Sequence, residues 1–358
     1  MLVGGVALFL SIVAGGEMAR RAAAPPKPAD AGGIFALDFI AFYTGGAFVM
    51  DGRQAELFDM RAVQRYQQQL AAANGADLGT AVGPWWNPPF YAWVFAPLSR
   101  LPFGVASAVW VTFNVACAGA ACWVLARMLP PNLGWKTYAL VPAMVLLSTP
   151  FIHAITHGQN ACTSLLIVTM AVAAWRAEKA LLAGLIAGLM FYKPQHAVVL
   201  GGMLTLSLGW RALAGLAITG TSLLLITLLT LPGALGPFLH QMPLNVRHVQ
   251  EQTVYLWERH ATLLAFWRLA VQGPAAGPPG VAVQLLVALC TGAVAVVLLR
   301  LTALNRWINP FDAADRKSPA HRDRLIIATF IATPLLMPFY FDYDLLMLAV
   351  PGVLLANR

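Results

Sequence analysis

Charge is what this chain most lacks. Asp, Glu, Lys and Arg make up only 11% of its 358 residues, against about 25% in an average soluble domain. With 59% hydrophobic residues and a mean hydropathy of +0.69, the composition excludes an ordinary soluble enzyme. Cysteine is also scarce. Cys117, Cys122, Cys162 and Cys290 all lie in apolar runs and none belongs to a Cys-x-x-Cys pair. Small hydrophobes between helices explain them better than disulfides or a metal site. The chain has no Asn-x-Ser/Thr sequon, no P-loop, no dinucleotide fingerprint and no His-Glu-x-x-His. No cofactor, no metal and no nucleic-acid partner are expected.

What is present is a series of apolar runs of helical length, unlike the short alternating segments of an outer-membrane barrel. The long ones are Leu101–Met128, Thr137–Ile155, Ala212–Leu231 and Val281–Leu301. Ala161–Trp175, Ala180–Tyr192, Ala197–Trp210, Leu325–Met337 and Leu345–Leu355 are shorter than the ~20 residues that a span needs. Their polar ends, at His157-Gly-Gln159, Tyr192-Lys193-Pro194 and Phe341-Asp-Tyr-Asp344, would sit low in the membrane and line a cavity. Met1–Ala14 lacks the basic start of a signal peptide. It reads as a first span, though a short one. The fold expected is an all-α polytopic membrane protein of about ten spans. It is read as a single integral membrane domain over 1–358, with a long first outer loop (15–100) and the remaining bundle (101–358).

Placing the N-terminus inside puts twelve of the 23 bases but only four of the 15 acids on the inner side. The whole net charge of +8 then lies inside and the outer side is neutral, which is the positive-inside bias. Arg20 and Arg21 run against it, in a loop long enough to cross regardless of charge. This orientation gathers polar residues on the outer face, including six of the seven histidines.

Asp38 stands out among them. It sits within Phe35-Ala-Leu-Asp-Phe-Ile-Ala-Phe-Tyr43, a lone carboxylate among aromatics at a membrane surface, where such acids mark pathways or active sites. The plainer alternative is a helix N-cap. Further along the loop, Asp59 is predicted to cap an amphipathic helix at Met60–Ala73, of the kind that lies in an interface. In Pro84-Trp-Trp-Asn-Pro-Pro-Phe-Tyr-Ala-Trp93, Pro88-Pro89 forbids helix and the aromatics suit headgroup anchoring or a lipid-tail groove.

Several stretches, in order, resemble glycosyltransferase family 87, the polyprenyl-phosphate-mannose-dependent mannosyltransferases of GT-C architecture. They are Asp38-Phe-Ile-Ala-Phe-Tyr43 with Asp51-Gly52, Asn87-Pro-Pro-Phe90 with Pro97-Leu-Ser-Arg-Leu-Pro102, and His157-Gly-Gln-Asn160. Ala183-Gly-Leu-Ile-Ala-Gly-Leu189 with Lys193-Pro194 and Pro338-Phe-Tyr-Phe-Asp-Tyr-Asp344 follow. The resemblance implies a GT-C-like bundle in a bacterial plasma membrane. It implies inverting transfer of a hexose, typically mannose, from a polyprenyl phosphate sugar to a glycolipid or glycan acceptor on the extracytoplasmic face. It places the catalytic acid in the first outer loop, at Asp38.

The residues themselves agree with that chemistry. An outward site has no access to cytosolic nucleotide sugars. Its donor must be lipid-linked, and its acceptor hydroxyl needs a base, here Asp38. Lys193, Arg259 and His260 are the expected phosphate ligands. Lys193 can equally snorkel to headgroups, and Glu258-Arg259 can equally form a surface ion pair. His157, Gln159, Asn160, Tyr43 and Asp342 are expected around the sugar or acceptor. For His157 and Gln159 the alternatives are orienting Asp38 or bonding loop carbonyls. His153 and His157 share a helix face and could bind zinc with a third ligand. Asp342-x-Asp344 imitates a metal motif, but at the start of a span capping or cavity lining fits better. Gly184-x-x-x-Gly188 reads as close helix packing. Two rivals use the same residues. A transporter or flippase of a lipid-linked or anionic solute should show paired repeats, and none is evident. In a noncatalytic assembly subunit the outer polar residues would be dispensable.

Overall fold

The computed structural model describes residues 38–130, 134–253, 255–302 and 318–356. These residues are all-α, with fifteen α-helices and one isolated β-bridge. Met1–Ala14 lies outside them. Three helices are long and apolar enough to cross a membrane, namely Phe103–Ala126, Trp210–Thr230 and Val281–Leu301. A fourth span results if Tyr138–Leu146 and Thr149–His157 are counted as one broken segment. The other apolar helices are too short alone, because each residue adds only about 1.5 Å against a core of about 30 Å. The described residues form two compact units. One comprises residues 38–119 with Ile152–Asn160 and Ser222–His248. The other comprises the described residues of Ala120–Phe151, Ala161–Thr221 and Val249–Arg358.

Several predicted spans are divided by local chemistry. Thr137–Ile155 breaks after Leu146. Pro150 has no N–H to continue the ladder, and the Ser148 hydroxyl accepts from the Phe151 N–H at 3.3 Å. Ala180–Tyr192 is an α-helix to Gly188 followed by a 3₁₀ turn over Leu189–Tyr192. Pro194 then opens the next helix at its first position, where a missing N–H costs nothing. That helix was expected to reach Trp210 but stops at Leu208, on Gly209 with φ +80°. Leu345–Leu355 likewise begins as a 3₁₀ helix over Asp342–Leu348.

In the first unit the Phe39–Met50 helix packs against Ala92–Phe95. Phe42 stacks on Phe95 at 4.7 Å, and Phe95 meets Trp110 edge-on at 4.8 Å. Gly46 permits this approach, since a Cβ there would stand 2.4 Å from the Phe95 carbonyl oxygen. Gly46→Ala is therefore expected to destabilise by about 1–3 kcal/mol despite Ala's better helix propensity. Gly202→Ala, with open space at its Cβ, should be neutral or mildly stabilising; thermal unfolding of the two variants checks the contrast.

The Met60–Ala73 helix forms as predicted. Asp59 accepts from the N–H groups of Arg61 and Ala62 at 2.9 and 3.2 Å. Gln67, wholly buried on this helix, exchanges two 2.8 Å bonds with the Gly83 backbone and so ties down the loop. Pro88-Pro89 does not forbid helix. Pro88 is extended, and Pro89 starts a 3₁₀ turn that leads into Ala92–Phe95, again because proline is tolerated at a helix start. Part of the aromatic run is core. Trp85 and Tyr91 are buried, while Trp93 faces outward.

In the second unit Ala161–Arg176 packs on Ala180–Gly188 and on Asp342–Leu348. Gly184 and Gly188 serve close packing, as the spacing suggests. A Cβ at Gly184 would lie 2.0 Å from the Ala212 carbonyl, and one at Gly188 2.6 Å from the Thr219 side chain. Arg176 grips Asp323 with two bonds of 2.9 and 3.2 Å, and Arg322 pairs with Glu178.

Candidate functional site

Each unit holds a polar cluster built from residues expected at the site. In the first, the Thr149–His157 helix ends on Gly158 in the left-handed region, φ +69°. The N–H groups of Gly158 and Gln159 reach back to Ile155 and Ala154 at 3.1 and 2.8 Å, the paired bonds of a Schellman cap. Trp110 Nε1 donates to the Gly158 carbonyl at 2.8 Å and pins the turn. The turn in turn holds Asp38 twice. The Asp38 N–H donates to the His157 carbonyl at 3.1 Å, and Gln159 Nε2 donates to Asp38 Oδ2 at 2.9 Å.

Asp38 precedes the Phe39–Met50 helix with αR dihedrals and its side chain makes no capping bond. The N-cap alternative therefore does not describe this carboxylate. Among the described residues its one side-chain partner is Gln159. An amide donor orients a carboxylate without neutralising it, so acceptor capacity remains for an incoming proton.

The neighbours are committed to the scaffold to different degrees. His157 Nδ1 lies 2.9 Å from the His153 carbonyl, and the two rings meet edge-on at 5.8 Å. Asn160 is buried, with Nδ2 donating to the Tyr91 hydroxyl at 3.3 Å. Tyr43 is buried too, and its hydroxyl donates to the Leu101 carbonyl at 2.9 Å. Tyr43 thus supports the aromatic core on which Asp38 stands.

The cluster of the second unit collects Lys193, Arg259, His260, Asp342 and Asp344. Pro194 and the preceding 3₁₀ turn break the helices at Lys193, whose Nζ meets Asp344 Oδ1 at 2.5 Å. Arg259 Nε and Nη2 grip the two oxygens of Asp342, both at 3.0 Å. An antiparallel bridge between His260 and Phe341 aligns these segments, and the Ala261 N–H donates to the Tyr340 carbonyl at 2.9 Å. Phe341 and Tyr343 stack at 5.1 Å beneath the Arg259 guanidinium. Asp342 and Asp344 are therefore counter-ions, not helix caps. Sequence reasoning missed this pairing and missed Asp344 as a site residue. The available signal was two acids, two residues apart, assigned to the same side as two cations.

His260 is buried, with Nε2 2.7 Å from the Tyr255 hydroxyl. Burial pushes it down to about 4, with Asp344 and Asp342 pulling it up and Arg259 pushing it further down. Folded His260 is neutral, whereas the unfolded residue takes up a proton below about 6.5. Stability should thus fall as pH drops from about 6.5 towards 4. Thermal melts over that range are expected to show a shallower decline in His260→Phe than in the wild type. His196, also missed, lies buried against Tyr340 at a ring distance of 4.9 Å. Both its ring nitrogens lack hydrogen-bond partners among the described residues. No group of three or more His, Cys, Asp or Glu suited to a metal occurs among those residues.

The sequence pattern of glycosyltransferase family 87 matches residues 85–314, well over half of the chain. The chain belongs to glycosyltransferase family 87. Membership makes it a transferase, and its long apolar helices fit an integral membrane protein. The matched region of this family 87 protein includes the His157–Asn160 turn, Lys193, Arg259 and His260. Asp38, Asp342 and Asp344 lie outside it. Neither a curated protein nor a solved structure matches the chain.

Proposed function

We propose that this family 87 protein transfers a hexose, mannose first among the candidates, from a polyprenyl phosphate sugar to a glycolipid or glycan acceptor on the extracytoplasmic face of a bacterial plasma membrane. The acceptor oxygen attacks C1 as the C1–O bond to phosphate breaks. The acceptor proton passes to Asp38, the bonding electrons leave with the polyprenyl phosphate, and C1 inverts. The observation that carries this reading is the Gln159–Asp38 bond. An outer-loop carboxylate that does not cap its helix is instead held by an amide from the His157-Gly-Gln-Asn160 stretch.

Lys193 and Arg259 supply positive charge for the leaving phosphate. His260 serves as a neutral hydrogen-bonding group. In this reading His157 meets the sugar or acceptor, whereas Asn160 and Tyr43 hold the scaffold. No metal or other cofactor takes part. Sidedness is supported by the ion pairs. Arg176–Asp323 and Arg322–Glu178 join groups both assigned inside, and Lys193–Asp344 and Arg259–Asp342 join groups both assigned outside. The bundle of about ten spans follows if short helices run on through their breaks, as Ala180–Gly188 does into Leu189–Tyr192. Irregular backbone at depth is tolerated where protein or a cavity covers it.

The donor class is tested with the purified chain in sealed vesicles. Labelled mannose supplied as polyprenyl phosphate mannose is expected in the acceptor, and mannose supplied as a nucleotide sugar is not. Transfer from the nucleotide donor alone would overturn the reading. Movement of lipid-linked sugar across the bilayer without transfer would favour a flippase.

A further inference from the structure

The two outer ion pairs differ in their access to solvent, and the difference assigns them separate tasks. Lys193–Asp344 is dry, with side chains 9% and 4% exposed. Arg259–Asp342 is partly exposed, at 21% and 23%. A dry pair does not separate readily, because each partner would be left as an uncompensated buried charge. A solvated pair exchanges partners cheaply. The open pair also presents the guanidinium, whose planar fork suits phosphate oxygens as well as it suits a carboxylate.

We propose that Asp342 is the resident counter-ion of Arg259, released when the phosphate of the lipid donor takes the guanidinium and restored when the product leaves, while Lys193–Asp344 stays closed. The inference rests on the donor reading above and assigns Asp342 to controlling that site, not to binding the sugar. Charge supplies the direction of exchange. The donor phosphodiester carries one negative charge, so it competes about evenly with the Asp342 carboxylate. As the C1–O bond breaks, the phosphate gains charge and becomes a phosphomonoester, which carries about −1.5 to −2 at neutral pH. Arg259 is therefore drawn to phosphate most strongly as charge develops, when added binding accelerates the reaction. Once transfer is complete, the waiting carboxylate lowers the apparent affinity for product by holding part of the population in the paired state.

Replacing the carboxylate by an amide removes the competitor but keeps the local fold. The Tyr343 N–H donates to Asp342 Oδ1 at 2.7 Å, and an Asn Oδ1 accepts the same bond. Glu258 is the charge control. It is exposed, adjoins Arg259 and forms no ion pair among the described residues.

The experiment measures binding of farnesyl phosphate, a short product analogue, to the purified full chain in detergent by calorimetry, with thermal melts to verify folding. Asp342→Asn is expected to bind about three- to thirtyfold more tightly than wild type. Arg259→Gln should bind at least about tenfold more weakly, and Glu258→Gln should match wild type. Product inhibition of transfer should strengthen in Asp342→Asn by the same factor. Weaker or unchanged binding in folded Asp342→Asn overturns the exchange, as does equal tightening in Glu258→Gln. Displacement of farnesyl phosphate by equimolar phosphatidylglycerol would show a general headgroup site and also overturn it. If wild type neither binds farnesyl phosphate nor transfers sugar, the donor reading itself fails. If it does both while Asp342→Asn binds no tighter, only the exchange fails.

Discussion

Asp38→Asn is expected to lower kcat for sugar transfer by about 10²- to 10⁴-fold, the usual contribution of a general base, with donor affinity unchanged. Asn is nearly isosteric with Asp and can still accept the Gln159 amide hydrogen through Oδ1. The Asp38 backbone bond to His157 does not involve the side chain at all. Local structure should therefore survive and the loss should fall on kcat, as it does when an interaction serves the transition state alone. Gln159→Leu leaves the carboxylate but removes the 2.9 Å bond that aims it. Its expected cost is about tenfold in kcat, and Gln159→Glu should cost more, since two carboxylates would then repel at that distance. Steady-state kinetics with donor binding measured in parallel checks the order. A fall in donor affinity equal to the fall in kcat would make Asp38 a binding residue.

The second large effect concerns folding. Lys193→Met is expected to destabilise the protein by about 3–5 kcal/mol, because Asp344 would be left charged and alone in a dry site. Asp344→Leu should cost a similar amount for the reciprocal reason. The double variant, Lys193→Met with Asp344→Leu, should recover most of the loss, since replacing a buried pair by apolar groups of similar volume is often neutral. Thermal unfolding of all four proteins completes a double-mutant cycle, and a large coupling energy is expected for side chains in contact. Additive losses would show that Lys193 and Asp344 act independently. The same result bears on function. If the double variant folds and retains most of its donor binding, Lys193 contributes scaffold alone, and the charge that meets phosphate belongs to Arg259.

The parts of this architecture that follow from local rules were legible in the sequence. Hydropathy picked out Val281–Leu301 to the residue, Asp59 was readable as a cap, and the glycine spacing at 184 and 188 correctly suggested close packing. Helix breaks were harder to place, because they depend on a proline or glycine meeting a particular backbone need. Pro150 and Gly209 end or open helices within runs whose hydropathy is continuous. Pro89 shows the reverse error, since a residue that stops helices internally is welcome at their start.

The two polar clusters were legible as residues but not as partnerships. Asp38, Gln159, Lys193, Arg259 and Asp342 all stand out as polar groups in an apolar chain. No spacing rule links residue 38 to 159, or 193 to 344, so their bonds required the fold. That is why Lys193 and Arg259 read as ready phosphate ligands when each already holds a carboxylate. It is also why Tyr43, expected around the sugar or acceptor, is found as a buried member of the aromatic core.

Direct displacement with a single base fixes the stereochemical outcome. Purified wild-type chain supplied with polyprenyl phosphate mannose and an acceptor should yield one product. The nuclear magnetic resonance coupling at C1 should show the anomeric configuration opposite to that of the donor. Retained configuration would contradict the account, because it requires a second displacement or a return to the same face for which Asp38 alone provides no chemistry.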